Sequence, residues 1–178
     1  PASGEQRWSF DPQIDRGGDR PFRCRGVSYA EEPRAAVGEH CRHRLFLSTH
    51  DRRLWAIDAR DGKPCGGFGD GGKVLLFGEE GLVAGDVSNS SAPVVAAGVV
   101  VTGSTVIDFV RATTPRGTVQ AFDSFSGRPL WQFDPLLGHA GSGSANVWAP
   151  ISVDEKNGQM FLPTSSASAD YSGVGRPG

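Results

Sequence analysis

The sequence predicts an all-β fold assembled from a repeated unit of short strands, the organisation of a β-propeller. Three observations carry this. The chain is rich in turn formers, with 25 glycines and 12 prolines in 178 residues. No stretch sustains a helical period, while short runs alternate apolar and polar residues. The chain also repeats itself. Gly4-Glu5-Gln6-Arg7-Trp8-Ser9-Phe10-Asp11-Pro12 returns as Gly127-Arg128-Pro129-Leu130-Trp131-Gln132-Phe133-Asp134-Pro135, sharing Gly, Trp four residues on, then Phe-Asp-Pro. A further alignment sets Trp55-Ala56-Ile57-Asp58-Ala59-Arg60-Asp61-Gly62-Lys63-Pro64 on Gln120-Ala121-Phe122-Asp123-Ser124-Phe125-Ser126-Gly127-Arg128-Pro129. At a spacing of roughly 40 to 65 residues, about three blades fit, fewer than a closed ring needs. The chain therefore reads as a fragment, cut at both ends.

Each element follows from local chemistry. Residues 44–49 and 53–58 flank His50-Asp51-Arg52 and predict a hairpin. In its second strand Leu54 and Ala56 mark the inner face of a half-buried strand, which Asp58 ends. Asp58 can accept hydrogen bonds from the turn that follows, and Gly62 supplies the positive φ. Residues 74–77 read as a strand, and 93–95 with 99–103 predict a second hairpin around Ala97-Gly98. Val119, Ala121, Asp123 and Gly127 then repeat the strand-Asp-Gly pattern. The strand after each glycine carries Trp131, or Phe68 in the middle copy, outward onto a neighbouring unit. The last unit predicts a strand over 148–153, a turn at Asp154-Glu155-Lys156-Asn157-Gly158, a strand over 159–163, and a small-residue loop ending Ser168-Ala169-Asp170-Tyr171. That places the Trp148 indole, a flat aromatic floor, beside a cluster of oxygen ligands.

Composition narrows the function. A net charge of −2 argues against a nucleic-acid surface, which needs a basic excess. No apolar run approaches a membrane span, and the start is not signal-like. The cysteines are Cys24, Cys41 and Cys65, an odd number without a C-x-x-C pair. A disulfide between two of them would suit an oxidising compartment, with the pairing open.

Several motifs carry little. Gly66-Gly67-Phe68-Gly69-Asp70-Gly71-Gly72-Lys73 matches two phosphate-loop patterns, but a strand rather than a helix follows, so it is a turn. Glu39-His40-Cys41-Arg42-His43 lacks the second ligand pair of a zinc site. Gly141-Ser142-Gly143-Ser144 lacks the strand-elbow-helix context of a serine nucleophile. More is offered by Arg25 before Gly26, a guanidinium fork at a strand start. Ser90-Ser91-Ala92-Pro93 and Gly103-Ser104-Thr105-Val106-Ile107-Asp108 likewise put hydroxyls and a carboxylate at strand ends, where axis-facing loops lie.

At these residues the chain resembles the pyrroloquinoline-quinone (PQQ) dependent dehydrogenases, most of all the branch of membrane-associated glucose and quinate/shikimate enzymes. The resembling segments are 24–29, 54–69, 90–93, 103–108, 115–117, 127–135 and 145–171, in the family's order. The resemblance implies the N-terminal part of an eight-bladed propeller whose blades are locked by tryptophan-docking motifs, with residues 1–178 as one incomplete domain. It implies that Arg25 and Ser90 bind oxygens of PQQ, that Trp148 is the floor under the quinone, and that Ser168 falls where glucose enzymes carry a cofactor-contacting Thr. For a divalent cation, calcium or magnesium, it implies Asp108 and Ser166. Phe109 stands where an Asn often follows the acidic residue, and Pro21 where some glucose enzymes carry a His. No catalytic base is assigned, because the family's Asp lies in a later blade, beyond Gly178.

The activity implied is oxidation of a sugar or alcohol hydroxyl, glucose-type, in the periplasm, with a quinone or cytochrome accepting the electrons. Membrane association would come only through segments outside this chain. The rival from another class is a non-catalytic propeller, an outer-membrane assembly scaffold or binding module, which has no reason to place Arg25, Ser90, Asp108 and Trp148 together. A propeller sugar hydrolase would need paired carboxylates, for which Asp86 and Asp108 are the candidates.

Overall fold

The computed structural model describes residues 3–14, 23–78, 82–83, 85–107, 110, 113–138 and 143–169. All regular structure among them is β, and no helix is long and apolar enough to cross a membrane. Four strands form a first antiparallel sheet in the order β1 (Ser28–Glu31), β2 (His43–Ser48), β3 (Arg53–Asp58) and β4 (Lys73–Leu75). Two short strands, β5 (Val87–Ser88) and β8 (Thr105–Val106), pair with each other outside the larger sheets. A second four-stranded sheet runs β6 (Val94–Ala96), β7 (Val99–Thr102), β9 (Val119–Asp123) and β10 (Pro129–Phe133). The hairpin of β11 (Ser152–Asp154) and β12 (Gln159–Phe161) begins a third unit. The strand β6 lies against β1 on one side and β11 on the other, so the first strands of successive units neighbour one another, as the inner strands of propeller blades do.

The repeat behaves as its chemistry requires. The Asp58 carboxylate accepts from the Arg60 and Cys41 amides at 2.8 and 2.6 Å, while the Gly62 amide returns to the Asp58 carbonyl. In the second copy Asp123 accepts from the Ser126 amide at 2.7 Å, and the Gly127 amide bonds the Asp123 carbonyl. Both glycines sit at positive φ, 75° and 73°. Trp8 lies over Gly62 and donates from Nε1 to the Ala59 carbonyl at 3.1 Å. At Gly127 the Gly69 backbone and Val74 take the place of an indole, and the Gly69 amide bonds the Ser126 carbonyl. Trp131 is 44% exposed on the outer strand β10.

Four expectations are corrected. The strand β3 is buried on both faces rather than half-buried: Leu54 and Ala56 enter the core shared with Phe46, Phe68, Val100 and Phe122, while Phe10 packs edge-on against Trp55 at 5.1 Å. Alternation within one sheet does not register the neighbour that covers its second face. The strand expected over 148–153 is confined to Ser152–Asp154, because residues 145–148 bond loops instead of a partner strand. Its mate ends at Phe161 rather than residue 163, and β4 ends at Leu75 rather than residue 77.

Polar locks join the first two sheets. The Arg34 guanidinium holds Glu32 at 2.6 Å and reaches Asp123 at 2.6 Å and Ser124 at 3.0 Å. Burial raises the Glu32 carboxyl, but Arg34 and Ser124 outweigh it and the net shift is downward. Arg44 donates to the Ser124 and Phe125 carbonyls at 2.7 and 2.8 Å. Cys41 pairs with Cys65 in a disulfide, leaving Cys24 as an exposed thiol.

Candidate cofactor site

The site is built where β1 begins and where the loops around β5 and β8 end. Gly26 turns the chain into β1, and just before it the Arg25 amide donates to the Ser90 carbonyl at 2.9 Å. The Arg25 Nη1 donates to the Ser90 hydroxyl, which pairs with Thr105 Oγ1 at 2.9 Å. The β5–β8 ladder, with Ser88 opposite Thr105, fixes that last contact. Beneath it the buried Asn89 amide donates to the Gly103 carbonyl at 2.5 Å.

Two glycines let the Trp148 segment pack this closely. A Cβ on Gly103 would stand 2.1 Å from the Val147 carbonyl oxygen, and one on Gly117 would stand 2.2 Å from Asn146 Cβ. Val147 is buried in a second core with Val101, Val119 and Ala121. Asn146 donates to the Ser104 carbonyl at 3.2 Å and accepts from Ser165 Oγ at 2.5 Å. The next residue is thereby left at the surface: Trp148 is 46% exposed, with its carbonyl accepting from the Ser91 hydroxyl. The Arg25 guanidinium lies 5.2 Å from the Trp148 ring centroid. Among the described residues no carboxylate pairs with Arg25; its partners are the Ser90 hydroxyl and carbonyl and the Trp148 face.

The structure thus brings Arg25, Ser90 and Trp148 together, with Thr105 and Ser91 as supports that the hydroxyl-rich loop sequences signal. Ser166 and Ser168 lie in the loop after β12, which runs beside the residues preceding Trp148. The Ser168 hydroxyl accepts from the Gly143 amide at 3.0 Å, and the Ser166 carbonyl from the Ala145 amide at 2.9 Å. Asp108, Phe109 and Pro21 lie outside the described residues. So does the Gly141-Ser142 half of the serine motif.

The other candidates resolve simply. Gly69, Gly71 and Gly72 adopt positive φ and lead into β4, so the glycine-rich run is a turn. His40, Cys41 and Asp58 come close enough to hold a metal, but the Cys41 sulfur is bonded to Cys65. Asp86 is buried, and the carboxylate paired with it for hydrolysis, Asp108, is among the residues not described.

Two four-stranded antiparallel sheets whose first strands neighbour one another define a segment of a β-propeller, with a cation laid over an indole where β1 begins. The chain belongs to the PQQ-dependent dehydrogenases: residues 1–178 match the family described as "Glucose/ethanol/alcohol dehydrogenase, beta-propeller domain". It is 33% identical, over 96% of its length, to the glycerol dehydrogenase large subunit of Gluconobacter oxydans. It is 32% identical over 98% to the quinate/shikimate dehydrogenase (quinone) of Acinetobacter baylyi. With the quinoprotein glucose dehydrogenase of Escherichia coli it shares 30% identity over 98% of the chain. The chain spans about a quarter of these relatives' length: 25%, 25% and 24%. Among solved structures, the quinohemoprotein alcohol dehydrogenase of Comamonas testosteroni superposes with a TM-score of 0.67 at 23% identity, covering 94% of this chain and 26% of that one, a likeness of fold.

Proposed function

We propose that this chain is part of a PQQ-dependent dehydrogenase that oxidises a sugar or alcohol hydroxyl, glucose-type, by hydride transfer to the quinone. The observation that carries the reading is Arg25, a cation without a carboxylate partner among the described residues, poised over a half-exposed indole. A planar polycarboxylate fits that pair: the fork binds an acidic rim, and the indole stacks under the ring. Arg25, Ser90 and Trp148 would hold the cofactor, with Ser168 from the adjoining loop. Asp108 and Ser166 would supply oxygen ligands suited to calcium or magnesium. When bound, the quinone accepts hydride and the cation polarises its carbonyl.

The chain's own residues orient and grip rather than move protons. Ser90 is fixed from behind by Thr105, so it meets Arg25 from one direction. Trp148 is pinned through its carbonyl and through Val147, which leaves the ring half-exposed with Arg25 over it. None of these residues serves as the general base, and electrons leave to a quinone or cytochrome. The Cys41–Cys65 disulfide favours a periplasmic setting. A scaffold propeller gives no reason for Arg25, Ser90 and Trp148 to converge.

The test is reconstitution of the whole protein with PQQ and calcium, followed by dye reduction with glucose. Arg25→Gln should raise the PQQ concentration for half-activation at least ten-fold; an unchanged requirement would refute the assignment. The 178-residue segment alone should reduce no dye. Turnover by that segment would contradict the placement of the base.

A further inference from the structure

Between the two four-stranded sheets lies a pocket of about 160 Å³ whose described lining includes neither Arg25 nor Trp148. We propose that this pocket binds a small organic carboxylate, with the Arg52 guanidinium as its counter-charge.

Arg52 closes the β2–β3 turn at φ 64° and leans against the backbone of Gly78, where a Cβ would stand 2.4 Å from its Nη2. Its Nη2 donates to the Leu76 carbonyl at 2.6 Å, its Nε is buried without a partner, and among the described residues no carboxylate pairs with it. The second cation of the pocket, Arg116, is matched by Asp134 at 2.7 Å. Among the described lining residues, one positive charge is therefore in excess. A half-buried charge without a counter-ion is unfavourable, and burial lowers the Arg52 pKa in keeping with that.

The rest of the lining selects the anion. Thr118 Oγ1 accepts from Gln120 at 3.3 Å, which leaves its hydroxyl hydrogen to donate, and Gln132 also lines the wall. Leu76, Phe77, Val87 and Pro115 form an apolar side. A single planar fork, two neutral donors and an apolar wall suit a monoanion with a short hydrocarbon body better than a hydrated dianion. The volume agrees, since cavities of about 150 Å³ hold a benzene-sized molecule. An occupant would touch both sheets and lie behind Ser104, next to the Thr105 that positions Ser90. The inference does not depend on which cofactor Arg25 and Trp148 take.

The test is calorimetric titration of the whole protein with sodium butyrate and, separately, inorganic phosphate. Butyrate should bind saturably at one site, and Arg52→Gln should weaken it about ten-fold or more. Thr118→Val, which leaves the turn untouched, should weaken it several-fold and decides the matter if Arg52→Gln does not fold. Absence of saturable butyrate binding, a preference for phosphate, or full affinity in Thr118→Val would overturn the proposal. So would binding lost in Arg25→Gln but kept in Arg52→Gln, which would put the anion at the Arg25–Trp148 pair.

Discussion

The Trp8 ring lies so close over Gly62 that a Cβ there would stand 2.4 Å from its Cε3 atom. Gly62 also holds φ at 75°, so the position excludes side chains twice over. Gly62→Ala should therefore cost about 2–3 kcal/mol, from left-handed strain plus loss of the indole contact. Gly158→Ala, at φ 63° with nothing within 4 Å, should cost only about 1 kcal/mol. Urea denaturation of both variants separates the docking term; equal losses would show that Trp8 contributes nothing at Gly62.

Asp123 makes stability depend on pH. Burial raises its carboxyl, but Arg34 at 2.6 Å and the Ser126 amide and hydroxyl overcome this and hold it at about 2. A carboxyl depressed in the folded state stabilises above its unfolded value, about 3.9, and that contribution fades as pH falls through the folded value. The prediction is a loss on the order of 1–2 kcal/mol between about pH 4 and pH 2 that Asp123→Asn abolishes. Unfolding curves measured across that window check it, and an identical slope in the variant would count against the Arg34 lock.

The cysteines give a simpler readout. Native protein should show one reactive thiol from this segment, Cys24, and reduction should expose the Cys41–Cys65 pair. That disulfide closes a separation of 24 residues, so its loss should cost about 3 kcal/mol. Thiol titration before and after reduction, with thermal unfolding of Cys41→Ser, measures both.

Much of the fold was legible because turn chemistry is local. His50-Asp51-Arg52 and Ala97-Gly98 mark their hairpins, and Asp58 and Asp123 cap their own turns as their spacing to Gly62 and Gly127 implies. What stayed hidden depends on the neighbouring sheet. Burial of Trp55 and Ile57 needs the N-terminal segment on top of β3, and the backbone of Trp148 is held by a serine hydroxyl 57 residues away. The site lies between these cases. Arg25 and Ser90 are 65 residues apart, and nothing in their spacing predicts a contact; the family resemblance supplied it. The cysteine pairing had no sequence signal, and the Arg52 pocket exists only where two sheets meet.

The most direct test of the central claim is the affinity of the whole protein for PQQ with Trp148 intact and with Trp148→Ala. Loss of the stacking floor should weaken PQQ retention about five- to thirty-fold, from about 1–2 kcal/mol of aromatic contact, while the unfolding midpoint of the apoprotein stays close to that of the parent. PQQ affinity unchanged by Trp148→Ala would contradict the account.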